Sequence, residues 1–364
     1  MQINEYVDAV LGLQYGDEGK GKIIGGILEQ HKYSLTARYN GGPNAGHSIQ
    51  KQDGTKYALH QLPSSIPFNQ KAYIGPGCAL NLGELMDEIA SLQAQIPEIN
   101  IEKLLAIDPK VPIITRNHTS TDKEYHFETQ GSTGSGIAPA YAEFYNRTST
   151  LAKNYNILNF INDINEVNTL LLEGAQGFYL DPYHGNYPYT TSSHCLPSHA
   201  ASCFGFSPKK FRHIIGVAKC YETRSGKDAY YYHVMNKDYK LIDENTVPDF
   251  AHRRIQYKEL QEEGKEIGVT TGRKRKVRFL DLTRLTRAIN NSGTDILIIN
   301  KWDVLEKLNS PFQLFHNAVI CKFETIEAMQ SYIESSLYES CSDLKRILHS
   351  KSPMNDIDWS FLND

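Results

Sequence analysis

The stretch Val7-Asp8-Ala9-Val10-Leu11-Gly12-Leu13-Gln14-Tyr15-Gly16-Asp17-Glu18-Gly19-Lys20-Gly21-Lys22-Ile23 decides the class of this chain. Its first part, Val7–Leu13, is a short apolar strand candidate. A glycine-rich turn follows, and a helical stretch runs from about Lys20 to Glu29. Gly16 to Gly21-Lys22 satisfies G-x-x-x-x-G-K, a loop whose backbone N–H groups cradle phosphates above a helix N-terminus. The Ser or Thr that holds Mg²⁺ in such loops is replaced by Ile23. An oxygen ligand must then come from elsewhere, and Asp17 inside the loop is the obvious donor.

Working outward, the clearest segments alternate between two periodicities. Leu35–Tyr39, Thr169–Leu172, His213–Ala218 and Asp295–Ile299 read as buried strands, and Asp53-Gly54 has hairpin chemistry. Leu82–Leu92 places Leu82, Leu85, Met86, Ile89 and Leu92 at helical spacing; Glu324–Tyr338 is also helical, with a short strand candidate after it at Lys345–Leu348. The alternation predicts an α/β fold: a large, mostly parallel central sheet flanked by helices, with a phosphate-loop-like element after its first strand. No repeat or linker divides the sequence, so residues 1–364 are expected to form a single domain.

The 364 residues are 40% hydrophobic and 22% charged, a globular profile. Lys plus Arg (38) against Asp plus Glu (42) leaves a net charge of −4, which argues against a general nucleic-acid or membrane-surface binder. No apolar run reaches the roughly 18 residues of a membrane span. Met1 to Val7 carries Glu5 and no basic region, so no signal peptide is expected. The six cysteines include no C-x-x-C pair; a disulfide framework or zinc site is not expected, and a reducing cytoplasm fits.

A second nucleotide signature is Asn300-Lys301-Trp302-Asp303, at the end of the Asp295–Ile299 strand. N-K-x-D in this position is the guanine-reading device of GTP-binding proteins. Its aspartate accepts two hydrogen bonds, from guanine N1–H and the 2-amino group, which adenine cannot offer. A site built for such a polar group can reject an analogue lacking it by as much as ~10⁴–10⁵-fold. A regulatory GTPase is disfavoured, because the chain contains no D-x-x-G switch and the two signatures lie about 280 residues apart. The intervening sequence should bind something else.

There the chain resembles the adenylosuccinate synthetase family. The motif Gly12-Leu13-Gln14-Tyr15-Gly16-Asp17-Glu18-Gly19-Lys20-Gly21-Lys22 is followed in family order by Gly41-Gly42-Pro43-Asn44-Ala45-Gly46-His47 and by Ser132-Thr133-Gly134 with Gly136-Ile137-Ala138-Pro139-Ala140-Tyr141. Then come Glu173-Gly174-Ala175-Gln176-Gly177, Gly185-Asn186-Tyr187-Pro188-Tyr189-Thr190-Thr191-Ser192-Ser193, Gly268-Val269-Thr270-Thr271-Gly272-Arg273 and Lys301-Trp302-Asp303. The resemblance implies a cytoplasmic homodimer that uses Mg²⁺, GTP, inosine monophosphate (IMP) and L-aspartate.

It also implies roles. Asp17 would take the N1 proton of IMP, and His47 would donate to the oxygen leaving with GDP. Lys20 and the loop N–H groups of Gly16, Glu18, Gly19, Gly21 and Lys22 would steady the phosphates, with Ser48 beside them. Asp17 and the Gly46 carbonyl would hold Mg²⁺. Gln176 would bind the purine base, and Asn44, Ala45, Thr133 and Thr191 the rest of IMP. Arg147 would reach the neighbouring subunit's IMP phosphate. The run Arg273-Lys274-Arg275-Lys276-Val277-Arg278 reads blindly as a basic face; after Val269-Thr270-Thr271-Gly272 it resembles the family's aspartate loop, with Arg273 near the ribose as well and Arg275 also approaching GTP. Lys301, Trp302 and Asp303 would read guanine, and Ser350-Lys351-Ser352-Pro353 resembles a segment that stacks near it.

The chain departs from the family at Asn40, Pro43, Ser135, Phe144, Arg278-Phe279 and His194-Cys195-Leu196, positions that bear on the dimer and the IMP shell. One branch of the family uses dGMP, with a small residue in place of the loop aspartate. Asp17 therefore favours IMP, with dGMP as the alternative. A non-catalytic purine-nucleotide binder is a further one, against which intact Asp17 and His47 argue.

Overall fold

The computed structural model describes residues 1–155, 160–227, 250–268, 272–308 and 312–363. The strands in chain order are β1 (Gln2–Gly12), β2 (Leu35–Arg38), β3 (His47–Gln50), β4 (Lys56–Leu59), β5 (Ala72–Ile74), β6 (Leu105–Ile107), β7 (Glu166–Glu173), β8 (Phe211–Lys219), β9 (Tyr221–Arg224), β10 (Lys276–Asp281), β11 (Ile296–Asn300), β12 (Phe312–His316), β13 (Val319–Phe323) and β14 (Arg346–His349). Eight of them form the central sheet in the order β14-β11-β8-β1-β7-β2-β5-β6. Every pairing in it is parallel. A parallel sheet is covered on both faces, so its strands read as continuous apolar runs. Leu170–Leu172 and Ile296–Ile299 are such runs, buried throughout.

The expected sheet is present, and β1 is longer than its apolar core. Its polar start, Gln2–Tyr6, pairs with Glu166–Thr169 of β7. Hydrophobicity alone could not reveal that half. A second sheet, β13-β12-β10-β9, is mixed: β10 runs antiparallel to β9 and parallel to β12. The basic run hides this strand, because Arg278 is drawn into it by an ion pair with buried Glu222.

Helix α1 (Lys20–Gln30) buries Ile23, Ile24, Ile27 and Leu28 against the central sheet. Gly19 precedes it at φ 94°, and no side chain caps its N-terminus. The hairpin β3–β4 crosses it so closely that a Cβ at Gly21 would fall 2.4 Å from the Ser48 carbonyl oxygen. Helix α2 (Leu82–Gln95) starts at Asn81, whose side chain accepts from the Glu84 N–H, and buries Leu85 and Leu92.

The chain leaves β1 toward β2 on one side, yet passes from β7 to β8 across β1 to the other. Ligands of open α/β sheets bind at such a reversal, outside the carboxyl ends of the strands. The phosphate loop, Glu173–Gly177, Lys219 and Asn300–Asp303 all lie at that edge. All six cysteines are free thiols. Among the described residues no helix is long and apolar enough to cross a membrane.

Leu172 is fully buried on β7 between β1 and β2. Leu172→Ala should cost about 2–5 kcal/mol in urea unfolding; a loss below about 0.5 kcal/mol would show that this sheet is not the packed centre.

Candidate active site

The phosphate loop folds around an ion pair of its own. Glu18, 1% exposed, accepts from the N–H groups of Gln14 (3.1 Å) and Gly16 (2.7 Å) and from Lys20 Nζ (2.9 Å). Lys20 also donates to the carbonyls of Gly16 (2.9 Å) and Gln176 (2.6 Å). Asn300 Nδ2 donates to the Glu18 carbonyl at 2.8 Å and fastens the second signature to the first. A Cβ at Gly12 would lie 2.3 Å from Glu18 Oε2, so only glycine lets the carboxylate tuck in. The Glu18 side chain therefore builds the loop and is no phosphate contact. Its place in the motif reflects this internal bond.

Asp17 lies on the cleft side. Its Oδ1 accepts from Arg275 at 2.8 Å and its Oδ2 from Ser225 at 2.9 Å. Arg275 continues to Glu266 at 2.8 Å, and buried Lys219 binds both oxygens of Glu266 at 2.9 Å. The Tyr221 hydroxyl donates to it as well, at 2.7 Å. Burial would raise the Glu266 carboxyl, but Lys219, Tyr221 and Lys301 outweigh it and hold it at about 2. Burial also pushes the Lys219 ammonium down, against the pull of Glu266.

His47 has a comparable support. Its Nδ1 lies 2.8 Å from Glu173 Oε1 and 3.0 Å from Ser64 Oγ, and its Nε2 faces Arg38 at 3.3 Å. Glu173 also accepts the Ser64 N–H and hydroxyl, both at 2.8 Å. Buried Glu173 can only accept once ionised, and Arg38 can only donate. The proton of a neutral His47 therefore belongs on Nδ1, with Nε2 as acceptor. Burial would raise Glu173, yet His47, Arg38 and the Ser64 N–H bring it to about 2. For His47 to donate from Nε2, the ring must be doubly protonated and Arg38 must give way.

Asp17, His47, Glu173, Arg275 and the phosphate loop line a cleft of about 480 Å³, the size of small-molecule sites. The structure brings Gly16 to Lys22, Asn44 to Ser48, Thr133, Gln176, Thr191, Arg273, Arg275, Lys301, Asp303 and Ser352 together on its walls. Gln176 sits at φ 56°, a left-handed conformation, with its Oε1 accepting from Ser193 at 3.4 Å. The Arg273 guanidinium stacks 4.5 Å over the Phe127 ring. Asp17 and Gly46 both line this cleft, and a carboxylate and a backbone carbonyl carry oxygen, the donor type that Mg²⁺ takes. Among the described residues no group of three or more His, Cys, Asp and Glu converges, so an ion there would draw most of its shell from phosphates and water.

Several expected side chains point elsewhere. Trp302 is fully buried in the core against the His349 ring, and the Lys301 ammonium donates to the Gly264 carbonyl at 3.0 Å. Ser350 is fully buried, and exposed Lys351 pairs with Glu306 at 2.6 Å, so neither side chain faces the cleft. Arg147 is exposed at the end of the helix Ile137–Asn146, away from the cleft wall. Gly272 follows Val269, Thr270 and Thr271, which lie outside the described residues. Arg38, Ser64, Lys219, Ser225 and Glu266 were not singled out from sequence. Arg38 could have been, as a cation inside an otherwise apolar strand.

A family model described as adenylosuccinate synthetase matches residues 9–159 and 150–311. The chain is 38% identical over 230 residues to the adenylosuccinate synthetase of Methanococcus aeolicus, covering 60% of this chain and 67% of that one. It is 32% identical over 356 residues to that of Cytophaga hutchinsonii, covering 82% and 77%. Among solved structures it superposes on fully ligated adenylosuccinate synthetase from Plasmodium falciparum with TM-score 0.77 at 24% identity, covering 96% and 98% of the two chains. It also superposes on the succinoaminodeoxyadenylate synthetase of cyanophage S-2L, bound to dGMP and to dATP as an energy donor, with TM-score 0.69 at 18% identity, covering 97% and 94%. At these identities the likenesses show the fold.

Glu173 and Glu266 are depressed from 4.5 to about 2 on folding. A depressed acid contributes stability that is complete above its unfolded value and disappears as pH falls through its folded one. Wild-type protein should therefore lose stability relative to Glu266→Gln as the pH falls from about 4.5 toward 2. Urea melts across that range check this; a constant difference between the two proteins would contradict it.

Proposed function

The chain belongs to the adenylosuccinate synthetase family of carbon–nitrogen-bond-forming ligases, and from that premise we propose that it joins L-aspartate to IMP at the expense of GTP. What carries this reading is one arrangement: Asp17 and His47 on the walls of a cleft that also holds the phosphate loop and Asp303. The products would be adenylosuccinate, GDP and phosphate, a step of purine biosynthesis.

Asp17 takes the N1 proton of IMP, and the electron pair moves onto the 6-oxygen. That oxygen attacks the γ-phosphorus of GTP, the bond to the β,γ-bridging oxygen breaks, and GDP leaves. A carboxylate is a weak base for this proton, so its placement must supply much of the rate. Arg275 and Ser225 fix both Asp17 oxygens, and Arg275 has to release Oδ1 before the carboxylate can act. His47, charged and carried by Glu173, steadies the bridging oxygen through Nε2. The α-amine of aspartate then attacks C6, the C6–O6 bond breaks, phosphate departs and the amine loses a proton.

Mg²⁺ held by Asp17 and the Gly46 carbonyl would offset phosphate charge. Lys20, paired with Glu18, binds the carbonyls that shape the loop, and the loop N–H groups steady the phosphates. Gln176, Asn44, Ala45, Thr133 and Thr191 hold IMP, and Val269, Thr270, Thr271, Gly272, Arg273 and Arg275 hold aspartate. Asp303 reads guanine. Arg147 reaches the IMP phosphate of a second subunit; exposed Tyr145 beside it, at 67%, supplies apolar surface for such a homodimer. We expect the enzyme in the cytoplasm, without nucleic-acid or membrane partners.

Asp17 keeps a full-sized carboxylate on the cleft wall, which favours IMP over dGMP. Parallel assays with GTP, aspartate, Mg²⁺ and either acceptor should give rising purine absorbance, GDP and phosphate with IMP. Product from neither acceptor would sink the proposal, and product from dGMP alone would reassign the acceptor. Asp17→Asn should lower kcat by about 10²–10⁴-fold while nucleotide binding persists; retained turnover would remove Asp17 as the base.

A further inference from the structure

Lys22 is the lysine that G-x-x-x-x-G-K assigns to phosphate, yet its ammonium is turned toward the end of the chain. It donates to the Ser352 carbonyl at 2.6 Å and to Ser350 Oγ, and lies 3.3 Å from Asp356 Oδ1 and 3.4 Å from Asn300 Oδ1. Asp356 in turn accepts from Ser350 Oγ at 2.6 Å and from the Lys351 N–H at 2.8 Å. The Ser350–Asp356 segment is thus closed on itself around the lysine.

One turn further along α1 is a second fixture. A Cβ at Gly26 would fall 2.4 Å from Asn355 Cγ, so the segment lies directly on the helix. Asn355 Oδ1 accepts from Trp359 Nε1 at 3.2 Å, and Trp359 is fully buried. On its other side the segment presents Ser352 and Pro353 to the cleft wall shared with Lys301 and Asp303.

We propose that Lys22 is a positioning residue for the nucleotide base: it ties the Ser350–Asp356 segment to α1, setting the wall that Ser352 and Pro353 share with Asp303, and it does not bind the transferring phosphate. This rests on the assignment of the cleft to GTP made above. A phosphate ligand would act on any nucleoside diphosphate and on the chemical step. A tether of the base wall acts on base preference and affinity.

The test uses the full chain carrying Lys22→Met, Asp356→Asn, both together, or Ser350→Ala, with GDP and ADP titrated calorimetrically and GTP kinetics alongside. Lys22→Met and Asp356→Asn should each weaken GDP binding and raise the GTP KM by about tenfold, with kcat changed less than about threefold, and the double variant should be no worse than the worse single one. The preference for GDP over ADP should fall in step. If Lys22→Met instead weakens GDP and ADP alike, or loses about a hundredfold in kcat while Asp356→Asn behaves as the parent, Lys22 is a phosphate ligand and the proposal is overturned. Should thermal melts show the charge variants unfolded, Ser350→Ala decides: weaker GDP binding supports the tether, and unchanged binding overturns it. GDP binding is read without turnover, so a parent protein that forms no product would overturn the reaction proposed above and leave this result standing.

Discussion

The buried Glu18–Lys20 pair is the contact on which the site depends. Isolated in a protein interior, either charge would carry a large desolvation penalty. Here the carboxylate is met by two backbone N–H groups and the ammonium by two carbonyls, one of them from Gln176 at the end of β7. The pair therefore fixes the turn after β1 and also clamps it to the neighbouring strand end. Asn300 adds a third strand end, that of β11, through the Glu18 carbonyl. Two sequence signatures far apart in the chain are joined by backbone acceptors, which tolerate no sliding between strands.

Around that clamp the working groups are paired in the same way. Glu173 stands behind His47 and Glu266 behind Arg275, each an ionised, buried carboxylate satisfied by several donors. Neither acid needs to touch a substrate. Glu173 fixes the orientation of His47 and Glu266 that of Arg275, whose positive charge it favours. Asp17 is held within the same network, by the arginine that the reading above gives to aspartate and GTP.

The sheet was legible because a parallel sheet buries both faces of its strands: Leu170–Leu172 and Ile296–Ile299 announce themselves as apolar runs. The cleft was legible wherever a glycine-rich motif marked a strand end. Legibility failed where charge served the interior. Arg278 looks like part of a basic face and lies in β10, paired with Glu222. Glu18 and Lys22 look like phosphate-loop contacts, and their side chains bond to protein. Trp302 sits within a nucleotide signature, yet its ring fills the core beneath it. A linear pattern reports which residue types a site uses, and does not report which way each one points.

The Ser350–Asn363 segment has a consequence in time as well as in space. The Trp359 backbone N–H donates to Gln30 Oε1, and β14 closes the β11 edge of the central sheet. During synthesis α1 leaves the ribosome some 330 residues before Trp359 does, at about 5–20 residues per second. Until then the flank of α1 beside Gly26 and the rim of β11 have no cover, and a bare strand rim invites pairing with other chains. The nascent polypeptide passes through an extended interval in which its first motif exists without the element that completes it, an interval suited to chaperone engagement.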